Sequence, residues 1–98
     1  MERVYPVIFT KTNDDKDTVL IEVPDLGILT EGYGMANAIY MARDAIGLYG
    51  ITKEDMGISI AEARDIKEID LSKAEFADSG ESCVSFVDID FDEYRKKI

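Results

Sequence analysis

The stretch from Val23 to Gly50, "VPDLGILTEGYGMANAIYMARDAIGLYG", constrains the fold more than any other part of the chain. It joins a β-branched strand end, a Pro-Asp-Leu-Gly turn, a glycine-spaced hook and a helix with few polar side chains. Pro24 fixes its own φ, Asp25 caps, and Gly27 permits a positive φ, so the strand must stop and reverse there. Ile28 to Glu31 leaves room for a short further strand. Gly32 and Gly34 flank Tyr33, and the helix is expected to begin near Met35. Glycine caps more weakly than Ser or Asp, so this helix lacks a strong capping box. At about 100° per residue, Met35, Ala38, Ile39, Ala42, Ala45, Ile46 and Tyr49 form one stripe, with an alanine-rich middle that allows close approach to a sheet. Gly47 loosens the far end and Gly50 reads as the helix stop.

The flanking segments supply the sheet. Arg3 to Thr10 alternates Tyr5, Val7 and Phe9 against Val4, Pro6 and Ile8, a strand apolar on both faces. Pro6 cannot donate to a ladder, so the strand lies at an edge or pairs on one side only at that point. A polar turn, "KTNDDKD", leads into Thr18 to Val23, and the pair reads as a β-hairpin. Residues 51 to 82 have no clean period; a short helix over Lys53 to Met56 and a polar excursion are expected. "CVSFVDIDF", Cys83 to Phe91, then reads as a strand inside the sheet, with Cys83 a small buried hydrophobe, and "DEYRKKI" as a closing helical turn. The order β-β-β-α-β in one domain, residues 1–98, predicts an α+β fold. Its small, mostly antiparallel sheet is covered on one face by one main helix.

Composition narrows the function. Eleven Lys and Arg against 21 Asp and Glu give a net charge of −10, which repels a phosphate backbone and favours association with a basic partner. There is no histidine and a single cysteine. That removes zinc sites, Ser-His and Cys-His chemistry, and an internal disulfide, and it fits a reducing cytoplasm. No apolar run approaches the roughly 20 residues of a membrane span. Asp88, Asp90 and Asp92 alternate along a strand, an arrangement open to a divalent cation. They lack the Gly and Glu of a calcium loop, and a solvated acidic edge explains them as well. Asp14, Asp15 and Asp17 read as hairpin-loop turn chemistry. No cofactor, metal or catalytic set is expected. Tyr40, Met41 and Leu48 lie outside the helix stripe, more apolar than a solvated face needs; they or the Val84 to Phe86 strand are candidates for self-association.

Tyr5, Pro6 and Phe9, then Pro24, Asp25 and Leu26, then Thr30 and Gly32 before an Ala-rich helix, together resemble the HicB-type antitoxins of bacterial toxin–antitoxin pairs. The ending "VSFVDIDFDEYRKKI" is similar to that family's last strand and closing turn. Two features depart: "PDLGIL" is one residue shorter and lacks a second proline, and Gly34 and Asn37 stand where a Thr or Ser cap and a Glu are usual. A cytoplasmic homo-oligomer is expected from the single cysteine and the surplus apolar residues, and the resemblance implies a partial RNase H-like fold without the nuclease's catalytic set. It also implies a small basic HicA-like toxin, a ribonuclease, as partner. Relatives commonly carry a C-terminal DNA-binding domain; none is seen here, so operator binding is not carried over. Asp25, Glu31 and Asp44 are the expected partner-binding carboxylates. Two readings stand beside this one: a metal-dependent RNase H-like nuclease using Asp88, Asp90 and Asp25, and an interaction module whose partner is not a toxin.

Overall fold

Six consecutive residues, Tyr5 to Thr10, are buried on both sides of one strand, and the fold is organised around it. A computed structural model describes Met1–Ile98. Its strands are β1 (Glu2–Lys11), β2 (Thr18–Val23), β3 (Ile28–Tyr33) and β4 (Glu81–Asp90), all antiparallel, in the order β3-β2-β1-β4. The central strand is therefore β1. The hydrogen bonds Phe91 N–H to Met1 C=O and Thr12 N–H to Thr18 C=O fix which way each residue faces. Odd-numbered residues of β1 bond toward β4 and even-numbered ones toward β2, because such pairs alternate along an antiparallel ladder. Pro6 thus turns its missing donor toward β2, where the paired register begins only at Ile8. Continued two residues further, that register would set Pro6 opposite Pro24, and neither has an N–H. The ladder ends where both strands lose their donors, and a proline can sit inside a central strand.

The single main helix, α1 (Met35–Asp55), packs on the face formed by Tyr5, Val7, Phe9, Val19, Ile21, Val23, Val87 and Ile89. Ala38, Ala42 and Ile46 are fully buried at this contact, while Met35, Ile39 and Tyr49 pack at its margin, as does Met41. A Cβ on Gly32 would stand 2.7 Å from the Ala38 Cα, so glycine in β3 sets how near the helix can come. Gly34 caps α1 at φ 81° without a side-chain bond; Asn37 Oδ1 instead reaches back to accept from Tyr33 N–H at 2.8 Å.

The far end of α1 differs from the sequence expectation. Gly50 does not stop the helix, and Lys53 to Met56 is not a separate one; α1 runs unbroken to Asp55, with Gly57 at φ 70° just beyond. The glycines serve packing. The short closing helix α2 (Phe91–Lys96) lies across α1, with the Phe91 ring on Gly50 and the Tyr94 ring on Gly47, where a Cβ would come within 2.5 Å of Tyr94 Cδ1.

The second face of the sheet is covered as well over Ile8, Thr10 and Glu22, which the alternation alone did not predict. The chain leaving α1 buries Ile60 in the core, and Ala61 C=O accepts from Tyr5 Oη at 2.7 Å. It then runs through two 3₁₀ turns, Ile66–Glu68 and Leu71–Lys73, capped by Asp65 and Asp70. Glu75 N–H donates to Glu22, which alternates with the helix-facing residues of β2, and a small cleft of about 320 Å³ separates this segment from Ile8, Glu22 and Pro24. Ile8 and Thr10 are buried beneath it, Thr10 Oγ1 bonding Ser82 Oγ at 2.7 Å. Finally, β4 is an edge strand rather than an interior one, and Cys83 is exposed rather than buried. No helix is long and apolar enough to cross a membrane.

The glycine seam yields a test. Gly50→Ala gains about 1 kcal/mol of helix propensity but drives a methyl into the Phe91 ring, and overpacking costs about 1–3 kcal/mol. A net loss of about 1 kcal/mol is expected in urea unfolding, reversed in sign when Phe91→Leu is added. A stabilised single variant would mean that α2 does not seat on this glycine.

Candidate functional site

Where α1 crosses β4 it leaves a groove of about 450 Å³, closed at one end by α2. Arg43 projects from α1 across the strand: its Nε donates to the Asp88 backbone carbonyl at 2.9 Å and its Nη2 to Asp88 Oδ1 at 3.0 Å. That guanidinium holds the Asp88 carboxyl below the usual carboxylate range. One turn of geometry further, Tyr94 Oη donates to Asp44 Oδ1 at 3.0 Å, tying α2 to α1. Burial, then the bond to Asp44, pushes the Tyr94 phenol above its ordinary value. Tyr40 stands over the groove and is 61% exposed. The groove carries four carboxylates, Asp44, Asp88, Asp90 and Glu93, against Arg43 and Lys97. It suits a cationic group better than an anionic one.

The carboxylates expected to meet a partner do not converge. Asp44 lines the groove. Glu31 is exposed on β3 at the opposite edge of the sheet, where it accepts from Tyr33 Oη at 3.3 Å and its charge raises that phenol's pKa. Asp25 is already committed within the chain. Its side chain is 3% exposed and accepts from Arg64 N–H at 3.0 Å and Arg64 Nε at 2.5 Å, pinning the excursion to the β2–β3 turn. The remaining motif residues are structural: Tyr5, Pro6 and Phe9 are buried in β1, Pro24 to Leu26 form the 3₁₀ turn after β2, and Thr30 and Gly32 lie in β3.

The apolar candidates also separate. Tyr40 lines the groove, while Leu48 is 54% exposed elsewhere on α1 and Met41 packs partly into the core. Val84 and Phe86 share one face of β4, with Phe86 57% exposed beside Val4. Among the acids proposed for a cation, Asp88 holds Arg43, and Asp90 caps α2 by accepting from Asp92 N–H and Glu93 N–H. Asp92 bonds the N-terminal amine. No group of three or more Asp, Glu or Cys side chains comes together in a geometry suited to a metal ion. Asp14 accepts from Lys16 N–H and Thr18 N–H, and so closes the hairpin loop. Two pairings that shape the groove, Arg43 with Asp88 and Asp44 with Tyr94, leave no mark in the sequence, since residues 45 and 50 positions apart meet only through the fold.

Because Tyr94 has a raised pKa in the folded chain, its contribution to stability is full below about pH 10, the unfolded value, and is lost as pH rises through the folded one. Asp44→Asn removes the acceptor's charge while leaving the burial. Phenolate absorbance, read as the difference from Tyr94→Phe, is expected to show the Tyr94 midpoint moving down toward 10 in that variant. An unchanged midpoint would show that Asp44 does not act on Tyr94.

No protein-family model matches this sequence, and no curated protein matches it. Among solved structures, a chain of a toxin–antitoxin complex from Streptococcus pneumoniae is similar at a TM-score of 0.79 and 25% sequence identity. The alignment covers 96% of this chain and 73% of that one. The likeness therefore takes in the sheet, α1, the excursion and α2 together, and this chain has the fold of a component of a toxin–antitoxin complex.

Proposed function

We propose that this protein is an antitoxin of HicB type that neutralises a small, basic, HicA-like ribonuclease toxin by binding it directly in the cytoplasm. The observation that carries this reading is the structural similarity, over nearly the whole chain, to a chain from a toxin–antitoxin complex. The charge supports it. A ribonuclease that grips RNA presents cationic groups to phosphate, and a chain of net −10 is drawn to the same groups and competes with the backbone they bind. The protein acts here by occupancy and performs no catalysis of its own. Asp44 in the groove and Glu31 at the far edge, which accept only neutral tyrosine hydroxyls, are the carboxylates that would meet the toxin, whereas Asp88 and Asp90 are held by Arg43 and the α2 backbone. Asp25 serves the fold instead, since its carboxylate is spent on Arg64.

Co-expression with the product of the adjacent gene tests the reading. The neighbour alone should arrest growth and degrade RNA, and this protein should restore growth and co-purify with it. Restored growth without a complex, or a complex with a neighbour that is not toxic, would defeat the proposal; the second result would favour an interaction module with another partner.

The electrostatic part is tested separately. Asp44→Lys combined with Glu31→Lys is expected to slow association with the toxin by about tenfold at low ionic strength, with the difference shrinking above 0.5 M salt as charges are screened to roughly 3–4 Å. Equal association rates for the variant and the parent at low salt would remove these two carboxylates from the interface.

A further inference from the structure

The outer edge of β4 carries a short, open hydrogen-bonding ladder bounded at one end by Arg43. The Phe91-to-Met1 bond shows that odd-numbered residues of β4 turn their backbone groups toward β1. The even-numbered residues Ser82, Val84, Phe86 and Asp88 therefore present N–H and C=O outward. Arg43 Nε already occupies the Asp88 carbonyl, which leaves Ser82, Val84 and Phe86 with both groups open. From Ser82 to Val87 the strand has no charged side chain, and Phe86 lies exposed on the second face, diagonal to the exposed Val4 of β1. Edges are normally guarded by a charge, a bulge or a covering element. This one is guarded only at Asp88.

We infer that β4 pairs antiparallel with β4 of a second copy of this chain, about a two-fold axis through Val84. That register places Val84 opposite the partner's Val84 and Ser82 opposite the partner's Phe86. Each of these hydrogen-bonded pairs exchanges two bonds, so both open groups of Ser82, Val84 and Phe86 are used. It sets Asp88 beside Gly80 and Glu81 beside Val87, so no two carboxylates meet directly. Registers slid toward the C-terminus require the Asp88 carbonyl that Arg43 holds. Charge decides between a second copy and a basic partner. The uncharged strip offers a cation nothing, whereas it is where two molecules of net −10 can touch without bringing carboxylates together. The two β-sheets become one, and the Val84 and Phe86 side chains of both copies line up across the seam. This surface stands independently of the antitoxin reading, because the partner is the chain itself.

Sedimentation of the chain alone tests the pairing, at concentrations up to roughly 0.2 mM because an interface this small lies at the weak end of the range. The expected result is a concentration-dependent doubling of the 11.0 kDa chain mass. Val84→Lys sets like charges opposite one another and should abolish it. Phe86→Pro should do the same while keeping the monomer's ladder intact, since it removes only an N–H that points to solvent. Circular dichroism melts confirm that each variant is folded. The register is read by mixing the parent, which has Cys83, with the Cys83→Ser, Ser85→Cys double variant under mild oxidation. Cys83 lies opposite the partner's position 85 in this register, so the mixture should cross-link efficiently and the separate proteins poorly. A monomer throughout, or a dimer that survives folded Phe86→Pro, would overturn the proposal; efficient cross-linking of the parent through Cys83 alone would overturn the register.

Discussion

The approach of α1 to its neighbours through small residues is the constraint on which the other features rest. On the sheet side Gly32, Ala38 and Ala42 let the helix axis settle close enough for Ile46 and the apolar face of β1 to be sealed from water. On the other side Gly47 and Gly50 accept the rings of Tyr94 and Phe91. A helix with ordinary side chains at these positions would stand further out. Arg43 would then fall short of the Asp88 carbonyl, and Asp44 would lose the Tyr94 hydroxyl. The polar contacts that shape the groove are thus consequences of apolar packing at small residues. Dispersion and burial set the distance, and hydrogen bonds use it.

Charge is distributed to match. The two face-covering elements each tie down with carboxylates that are used internally: Asp25 on Arg64, Asp65 and Asp70 as turn caps, Asp90 as the cap of α2. These acids organise backbone rather than advertise charge. Of the carboxylates expected to meet a partner, Asp44 at the groove and Glu31 across the sheet accept only neutral tyrosine hydroxyls and keep their charge uncompensated.

Periodicity revealed most of the scaffold because each element's burial is one-dimensional. The stripe Ala38, Ala42, Ile46 and the alternation Tyr5, Val7, Phe9 are written along the chain, and the structure buries both as the spacing demands. What was illegible depends on contacts between distant residues. Gly50 satisfies the local rule for a helix stop, yet the Phe91 ring claims it as a packing site. The apolar run Val84 to Val87 looks like an interior strand because nothing in it records that only one neighbour is present. The excursion has no period because Asp65 and Asp70 hold it by side-chain caps instead of a regular ladder. For the site, Asp44 was identifiable as a polar residue off the stripe, whereas the burial of Asp25 follows from Arg64, 39 residues away.

An uncovered edge strand is costly for a protein to keep, since it invites pairing with any extended chain. Here the exposure is confined. Pro6 and Pro24 close the ladder between β1 and β2, Arg43 closes the outer edge of β4 at Asp88, and the acidic residues Glu81 and Asp88 flank the uncharged strip. A strip bounded by carboxylates on both ends repels most registers of its own copy and most acidic chains, and it tolerates the one alignment that staggers those carboxylates. Selectivity at such an edge comes from what it excludes more than from what it attracts. In the pairing proposed for β4, the same acidity that keeps copies apart elsewhere on the surface would direct them to this one strip, and the groove beside α1, on the helix-covered face, would stay open to the partner of opposite charge proposed for it.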